Sequence, residues 1–79
     1  MTNYINELIQ ETIGTKDDYS ILAKAIYNYI SSNDESKYEY IVDAIQVSIL
    51  QHTDKFLSYQ TCEDMYFAIK GFESVYKEN

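Results

Sequence analysis

Apolar residues recur at intervals of three and four along most of the chain, which is the period of an amphipathic α-helix. In the first such segment the repeat comprises Ile5, Leu8, Ile9 and Ile13. Gly14 follows it, and glycine is suited to ending a helix. Asp17 or Asp18 is a candidate N-cap for a second helix, which the polar run 31–36 would end. The inward stripe of this helix is predicted to contain Tyr19, Leu22, Ala23, Ile26, Tyr29 and Ile30.

Two further helices are predicted in the second half of the chain. The third would have Asp34 as its N-cap and turn one apolar stripe inward, formed by Tyr38, Ile41, Val42, Ile45, Ile49 and His52. The fourth would open at Thr61, which with Asp64 resembles a capping box. Its inward residues are predicted to be Met65, Ala68, Ile69, Phe72, Val75 and Tyr76. Between the two, Phe56, Leu57 and Tyr59 are expected to form a short turn of helix.

The scarcity of turn-forming residues also favours helices. The chain has no proline and only two glycines, whereas a small β domain would need several turn signals. The segment 38–50 is rich in β-branched residues, which leaves a strand as an alternative there. The sequence predicts an all-α fold: one domain over residues 1–79, built as a small compact bundle of four helices, or five with the 56–59 turn.

The charge of the chain is strongly acidic. Thirteen acidic residues face six lysines and no arginine, for a net charge of −7. Residues 1–54 hold nine of the acidic residues and three lysines, so they carry most of this charge. A nucleic-acid-binding protein needs basic residues to neutralise phosphates, and an anionic membrane would repel this chain in the same way. We therefore expect a basic protein partner, with no direct binding to nucleic acid or membrane.

Sequence features also favour a cytoplasmic location. The longest apolar run, 65–69, is far shorter than the roughly 20 residues that span a membrane. The N-terminal residues lack the basic region of a signal peptide. Cys62 is the only cysteine, so no internal disulfide can form, which fits a reducing compartment.

Residues for catalysis or metal binding are sparse. His52 and Cys62 are each the only residue of their type, and a nucleophilic pair would require them to be in contact. The set His52, Asp54 and Glu63 lacks the spacing of a metal site, and there is no glycine-rich phosphate loop. The sequence predicts a protein that is not an enzyme and has no metal and no cofactor.

Acidic residues form rows on two of the predicted helices. In a helix, Glu35, Glu39 and Asp43 fall at i, i+4 and i+8, and like charges at that spacing cost roughly 0.2–0.5 kcal/mol per pair. A basic partner would offset that cost. Tyrosines stand beside this row, and tyrosine is common in binding surfaces. The predicted partner-binding residues are Glu7, Glu11, Glu35, Tyr38, Glu39, Tyr40 and Asp43.

The third helix has a second apolar side, formed by Tyr40, Ala44 and Val47 at i, i+4 and i+7. Such a helix is either central and buried on both sides, or it meets a partner. Together with Phe67, these residues form a candidate dimer face. Phe67 next to Gly71 indicates close approach of another helix, or packing of Phe67 against segment 54–60 or the first helix.

These features predict a small acidic inhibitor of a basic, nucleic-acid-handling protein. In size, charge and composition the chain resembles phage-encoded anti-CRISPR and other anti-defence proteins, DNA mimics and nuclease immunity proteins. The alternative is a homodimeric helical regulatory protein without mimicry, whose acidic residues only keep the surface soluble.

Overall fold

The computed structural model describes residues 1–32 and 35–78, with only the backbone described at 35 and 76–78. This part of the chain forms four α-helices: α1 (Thr2–Ile13), α2 (Ser20–Ser32), α3 (Tyr38–Thr53) and α4 (Tyr59–Glu78). A single 3₁₀ turn, Glu35–Lys37, leads directly into α3. No strand occurs among the described residues, so the all-α prediction is confirmed and the strand alternative for 38–50 is wrong. In that segment a period of three to four residues, rather than two, places the apolar side chains in the core.

The helices pack in chain order, α1 on α2, α2 on α3 and α3 on α4. The first and last helices are also in contact. The ring of Tyr4 on α1 stacks on that of Phe72 on α4, with 4.1 Å between centroids and 5° between planes. The radius of gyration is 11.7 Å. About 11.6 Å is expected for a compact domain of this length. The fold is thus a small helical bundle.

The core lies where the inward stripes of the helices meet. Its buried members are Ile5, Ile9, Leu22, Ala23, Ile26, Ile30, Ile41, Val42, Ile45, Ile49, Cys62, Met65, Tyr66 and Ile69. Most are aliphatic, and each large aliphatic side chain contributes about 1.5–3 kcal/mol when fully buried. Tyr4, Tyr27 and Tyr38 are half-buried and pack against this core.

The end of α1 and the start of α2 agree with the predictions from the sequence. Gly14 adopts φ 88°, a left-handed conformation that glycine accepts without strain, and its N–H donates to the Gln10 carbonyl. Before α2, the Asp18 carboxylate accepts a hydrogen bond from the Ser20 N–H at 3.0 Å. This bond is the main reason that the pKa of Asp18 lies below its usual value. Of the two candidate aspartates, Asp18 therefore supplies the acceptor.

The starts of α3 and α4 differ from the predictions. The predicted N-cap Asp34 lies outside the described residues, and α3 follows Lys37, which makes no side-chain cap. Helix α4 begins earlier than expected, because Ser58 Oγ accepts the Thr61 N–H at 3.2 Å and so takes the capping role assigned to Thr61. The predicted extra turn is wrong as well: Phe56 and Leu57 lie in the connection between α3 and α4.

Some side chains also differ from the predicted inward stripes. Tyr29, His52, Phe72 and Val75 are exposed. Tyr66, which is not among the predicted inward residues of the fourth helix, is buried, with its ring 6.1 Å from that of Tyr38. The period of a helix gives the direction of a side chain, but burial requires another element on that side.

Within the described residues, no helix combines the length and the apolar character that crossing a bilayer requires.

Candidate protein-binding surface

Helix α3 presents two different apolar sides. Its inner side, formed by Ile41, Val42, Ile45 and Ile49, is at most 1% exposed. On the outer side, Tyr40 is 72% exposed and Val47 is 50% exposed. Of the two explanations for the second apolar side, the central helix buried on both sides is therefore wrong for the described chain. The outer side of α3 is open to solvent.

A groove runs along this outer side, between α2 and α3. It has a volume of about 360 Å³ and is lined by Tyr29, Tyr40, Asp43, Ala44, Val47 and Ser48. We call it the α2–α3 groove. Three of the four predicted dimer-face residues, Tyr40, Ala44 and Val47, lie together in it. Tyr29, which is 44% exposed, was missed as a site residue because its position on α2 predicted an inward side chain.

Negative charges on α3 and α4, among them Asp43 in this groove, act on the hydroxyl of Tyr59. Partial burial raises the pKa of Tyr59, and the negative charges of Glu39, Glu63 and Asp43 raise it further. Glu39 and Asp43 are exposed on α3, and Glu63 is half-buried on α4. We call Glu39, Asp43 and Glu63 the acidic surface. Glu63 and Tyr59 were not predicted, because only the packing of α4 on α3 brings them to this row.

The acidic surface has no internal counter-charge among the described side chains. Among the described side chains, the one ion pair lies outside the acidic surface and joins Lys70 to Glu73 on α4, with 3.6 Å between the charged atoms. Glu39 and Asp43 therefore keep their carboxylates available to a partner.

The predicted row of three carboxylates on one helix is wrong. Glu35 lies in the 3₁₀ turn, and α3 begins three residues later at Tyr38. The α-helical spacing that would align Glu35 with Glu39 and Asp43 is therefore interrupted. Position 35 has no described side chain, so its part in a binding surface stays a prediction.

The second predicted row, Glu7 and Glu11, lines a different groove. This groove lies at the end of α1, has a volume of about 360 Å³, and is also lined by Gln10, Gly14, Thr15 and Lys16. Lys16 places a positive charge in the same lining. No residue of this groove belongs to the acidic surface, so the two predicted rows do not form one described site.

Tyr38 and Phe67 belong to the contact between α3 and α4. The ring of Phe67 lies 5.9 Å from that of Tyr38 and 5.3 Å from that of Tyr66. Phe67 is thus on the core side of α3 and does not extend the α2–α3 groove, although 54% of it is exposed. A Cβ at Gly71 would meet nothing within 4 Å, so the predicted close approach of a helix there is wrong.

The two residues considered for nucleophilic chemistry do not form a pair. Cys62 is completely buried, which raises the pKa of its thiol to about 11 and leaves it protonated at neutral pH. His52 is exposed, with Nδ1 2.8 Å from the Ser48 carbonyl oxygen. Within the described part of the chain, no three His, Cys, Asp or Glu side chains are grouped to hold a metal ion.

Compared with known proteins, the chain matches no family model, no curated protein and no solved structure.

Proposed function

We propose that this protein is a small, acidic, non-enzymatic inhibitor that binds a basic, nucleic-acid-handling protein. The observation that carries the proposal is the acidic surface, where Glu39 and Asp43 on α3 and Glu63 on α4 have no described cation to pair with them. A phage-type anti-defence protein, a DNA mimic and an immunity-type inhibitor all belong to this class. Such a protein acts in the cytoplasm, where its target handles nucleic acid.

Charge favours such a partner in two ways. A net charge of −7 on a 9.3 kDa chain produces a field that steers a basic protein towards it and raises the association rate. At contact, lysines and arginines of the target would pair with carboxylates that are exposed before binding. Tyr40 adds a large, exposed aromatic side chain next to them, of the kind that anchors protein interfaces.

The spacing of the carboxylates defines how the mimicry works. Glu39 and Asp43 are one helical turn apart, an axial advance of about 6 Å. Successive phosphates of one DNA strand advance by about 3.4 Å. The acidic surface therefore reproduces the charge of a few phosphates rather than a continuous backbone. Inhibition then results from occupying the part of the target's nucleic-acid site that binds those phosphates.

The test compares two triple variants with the same change in charge. Glu39→Gln, Asp43→Asn and Glu63→Gln neutralise the acidic surface, and Asp17→Asn, Asp54→Asn and Asp64→Asn are the matched control at exposed positions outside both grooves. Each tagged protein is incubated with nuclease-treated bacterial lysate and eluted with increasing salt. The captured protein is then purified and its DNA binding measured with each variant present.

We expect the wild type and the control to retain a basic nucleic-acid-binding protein and to inhibit its binding to DNA. The acidic-surface variant should lose both effects. Equal capture and inhibition by both triple variants, or a captured protein whose DNA binding is unaffected, would contradict the proposal.

A homodimeric interaction protein is the second candidate. The observation in its favour is the exposure of Tyr40 and Val47 on the outer side of α3. Sedimentation velocity over a wide range of concentrations tests it. A dimer that Val47→Lys converts to a monomer would favour this candidate, and a monomer at every concentration would rule it out.

A further inference from the structure

We propose that the α2–α3 groove binds an arginine side chain of the basic partner. This inference rests on the proposed function and specifies how the partner is recognised. It concerns the groove beside the acidic surface, whose lining offers apolar and aromatic contacts in addition to charge.

The apolar lining of the groove matches the stem of an arginine. Ala44 is small and half-buried, and Val47 beside it is half exposed. Arginine buries its methylene stem along apolar surfaces of this kind while its charged end stays near water. Tyr29 and Tyr40 come from different helices and both line the groove. A guanidinium stacks favourably on a tyrosine ring.

The negative charge in the groove also favours a positively charged ligand. Asp43 lines it, is exposed and has no ion-pair partner among the described side chains. Glu39 lies one helical turn before Asp43 on the same helix. No lysine is among the described residues of the lining. A carboxylate can accept two parallel hydrogen bonds from a guanidinium, which fixes both the position and the direction of the side chain.

A second copy of the chain does not satisfy this site. The chain contains no arginine, so it has no guanidinium to offer to its own groove. In a twofold contact through the groove, the same patch of both copies would meet and bring the two Asp43 carboxylates together. With −7 on each chain, that contact is opposed by repulsion. Arginine is also favoured over lysine, because only the planar guanidinium both stacks on tyrosine and pairs with two carboxylate oxygens.

The experiment is a titration of the full-length protein, followed by ¹H–¹⁵N NMR. The probe is an acetylated and amidated Gly-Arg-Gly peptide. Two matched peptides replace arginine by lysine or by citrulline, which has a similar shape and no charge. We expect the arginine peptide to shift the amide signals of Tyr40, Ala44 and Val47. Lysine should bind about two- to fivefold more weakly, since it lacks the planar stacking, and citrulline should give no saturable shift.

Variants then locate the site. Ala44→Leu fills the groove without changing charge and should abolish the shifts, whereas Asn3→Leu adds the same side chain to an exposed position of α1 and should leave them intact. Asp43→Asn should weaken binding about two- to fivefold, and Asp17→Asn should not. Circular dichroism verifies that each variant is folded. If Ala44→Leu does not fold, Asp43→Asn and Tyr40→Ala decide the result.

Several results would overturn the inference: equal binding of the citrulline or lysine peptide, shifts outside the groove, or unchanged binding by folded Ala44→Leu. Each can be distinguished from failure of the proposed function, which the acidic-surface variant tests with the captured protein. If Ala44→Leu still binds the arginine peptide while neutralising the acidic surface abolishes capture, the inhibitor proposal stands and the arginine site is wrong.

Discussion

The two sides of α3 are both apolar but have different surroundings. The inner side consists of Ile41, Val42, Ile45 and Ile49, which lie against α2 and α4 and are almost completely buried. The outer side consists of Tyr40, Ala44 and Val47, interrupted by Asp43 and open to solvent. One helix of sixteen residues thus holds the core together and presents a groove.

This contrast separates residues that stabilise the fold from those available to a partner. Burial of an aliphatic side chain contributes free energy in proportion to the apolar area removed from water. The inner side contributes this free energy when the chain folds. The outer side leaves much of its apolar area exposed, so its apolar surface would contribute free energy only when a partner covers it. The contrast predicts that mutations on the two sides affect different measurements.

The largest effect is expected on the inner side. Ile45 is 1% exposed, so Ile45→Ala removes buried methyl and methylene groups and leaves a cavity in the core. We expect the free energy of unfolding to fall by about 2–5 kcal/mol. A small domain has little more than this in reserve, so the variant should be largely unfolded at 37 °C. Urea denaturation followed by circular dichroism measures the loss, and a decrease below about 1 kcal/mol would contradict the picture of a tightly packed inner side.

The next effect is a pH dependence of stability. It arises from Cys62, which lies in the same core as the inner side of α3. Burial raises the pKa of this thiol from 9.0 to about 11. Below about pH 8 the thiol is protonated in both states and adds almost no pH dependence. Between pH 9 and pH 11 the unfolded chain releases the proton and the folded chain retains it, so stability falls as the pH rises. We expect Cys62 to account for a loss of about 1–2 kcal/mol across this range.

Comparison with Cys62→Ala isolates this contribution, because the tyrosines and lysines titrate in both proteins. The unfolding free energy of the wild type should fall more steeply from pH 9 to pH 11 than that of Cys62→Ala. Parallel curves would mean that water reaches the thiol in the folded protein.

A smaller effect is expected on the outer side. Val47→Ser removes an apolar side chain that is already half exposed, so the unfolding free energy should change by no more than about 0.5 kcal/mol. Thermal unfolding of this variant next to Ile45→Ala makes the contrast direct. A loss comparable to that of Ile45→Ala would show that the outer side contributes to the fold itself.

The smallest effect is expected at the acidic surface. Glu39 and Asp43 are like charges one turn apart on α3, and Asp43→Asn removes their repulsion while keeping Glu39 in the first turn, where the helix dipole favours its charge. Stability should rise by about 0.2–0.5 kcal/mol at low ionic strength, and the gain should shrink as salt screens the pair. A loss of stability would indicate that Asp43 makes a stabilising contact, and would weaken the case that this carboxylate is available to a partner.

Prediction from the sequence succeeded where a local rule was sufficient. The stripes around Ile9, Ile26 and Ile45 place the core residues, and Gly14 ends α1, because each depends on a few neighbouring residues. The candidate site was predicted only in part. Glu39, Asp43 and Tyr40 lie on α3 as expected, but Glu35 is separated from them by a change of helix type that the helical period does not show.

The sequence by itself determined which segments are helical, which side of each helix is apolar, and that the surface is acidic, because these properties depend on residue spacing and composition. Only the tertiary structure decided which sides are covered. Packing of α4 on α3 brought Glu63 and Tyr59 to Glu39, and packing of α2 on α3 placed Tyr29 across from Tyr40. The physical reason is that helix–helix contacts are non-local. A side chain's direction follows from its own helix, and its neighbours follow from how the helices pack.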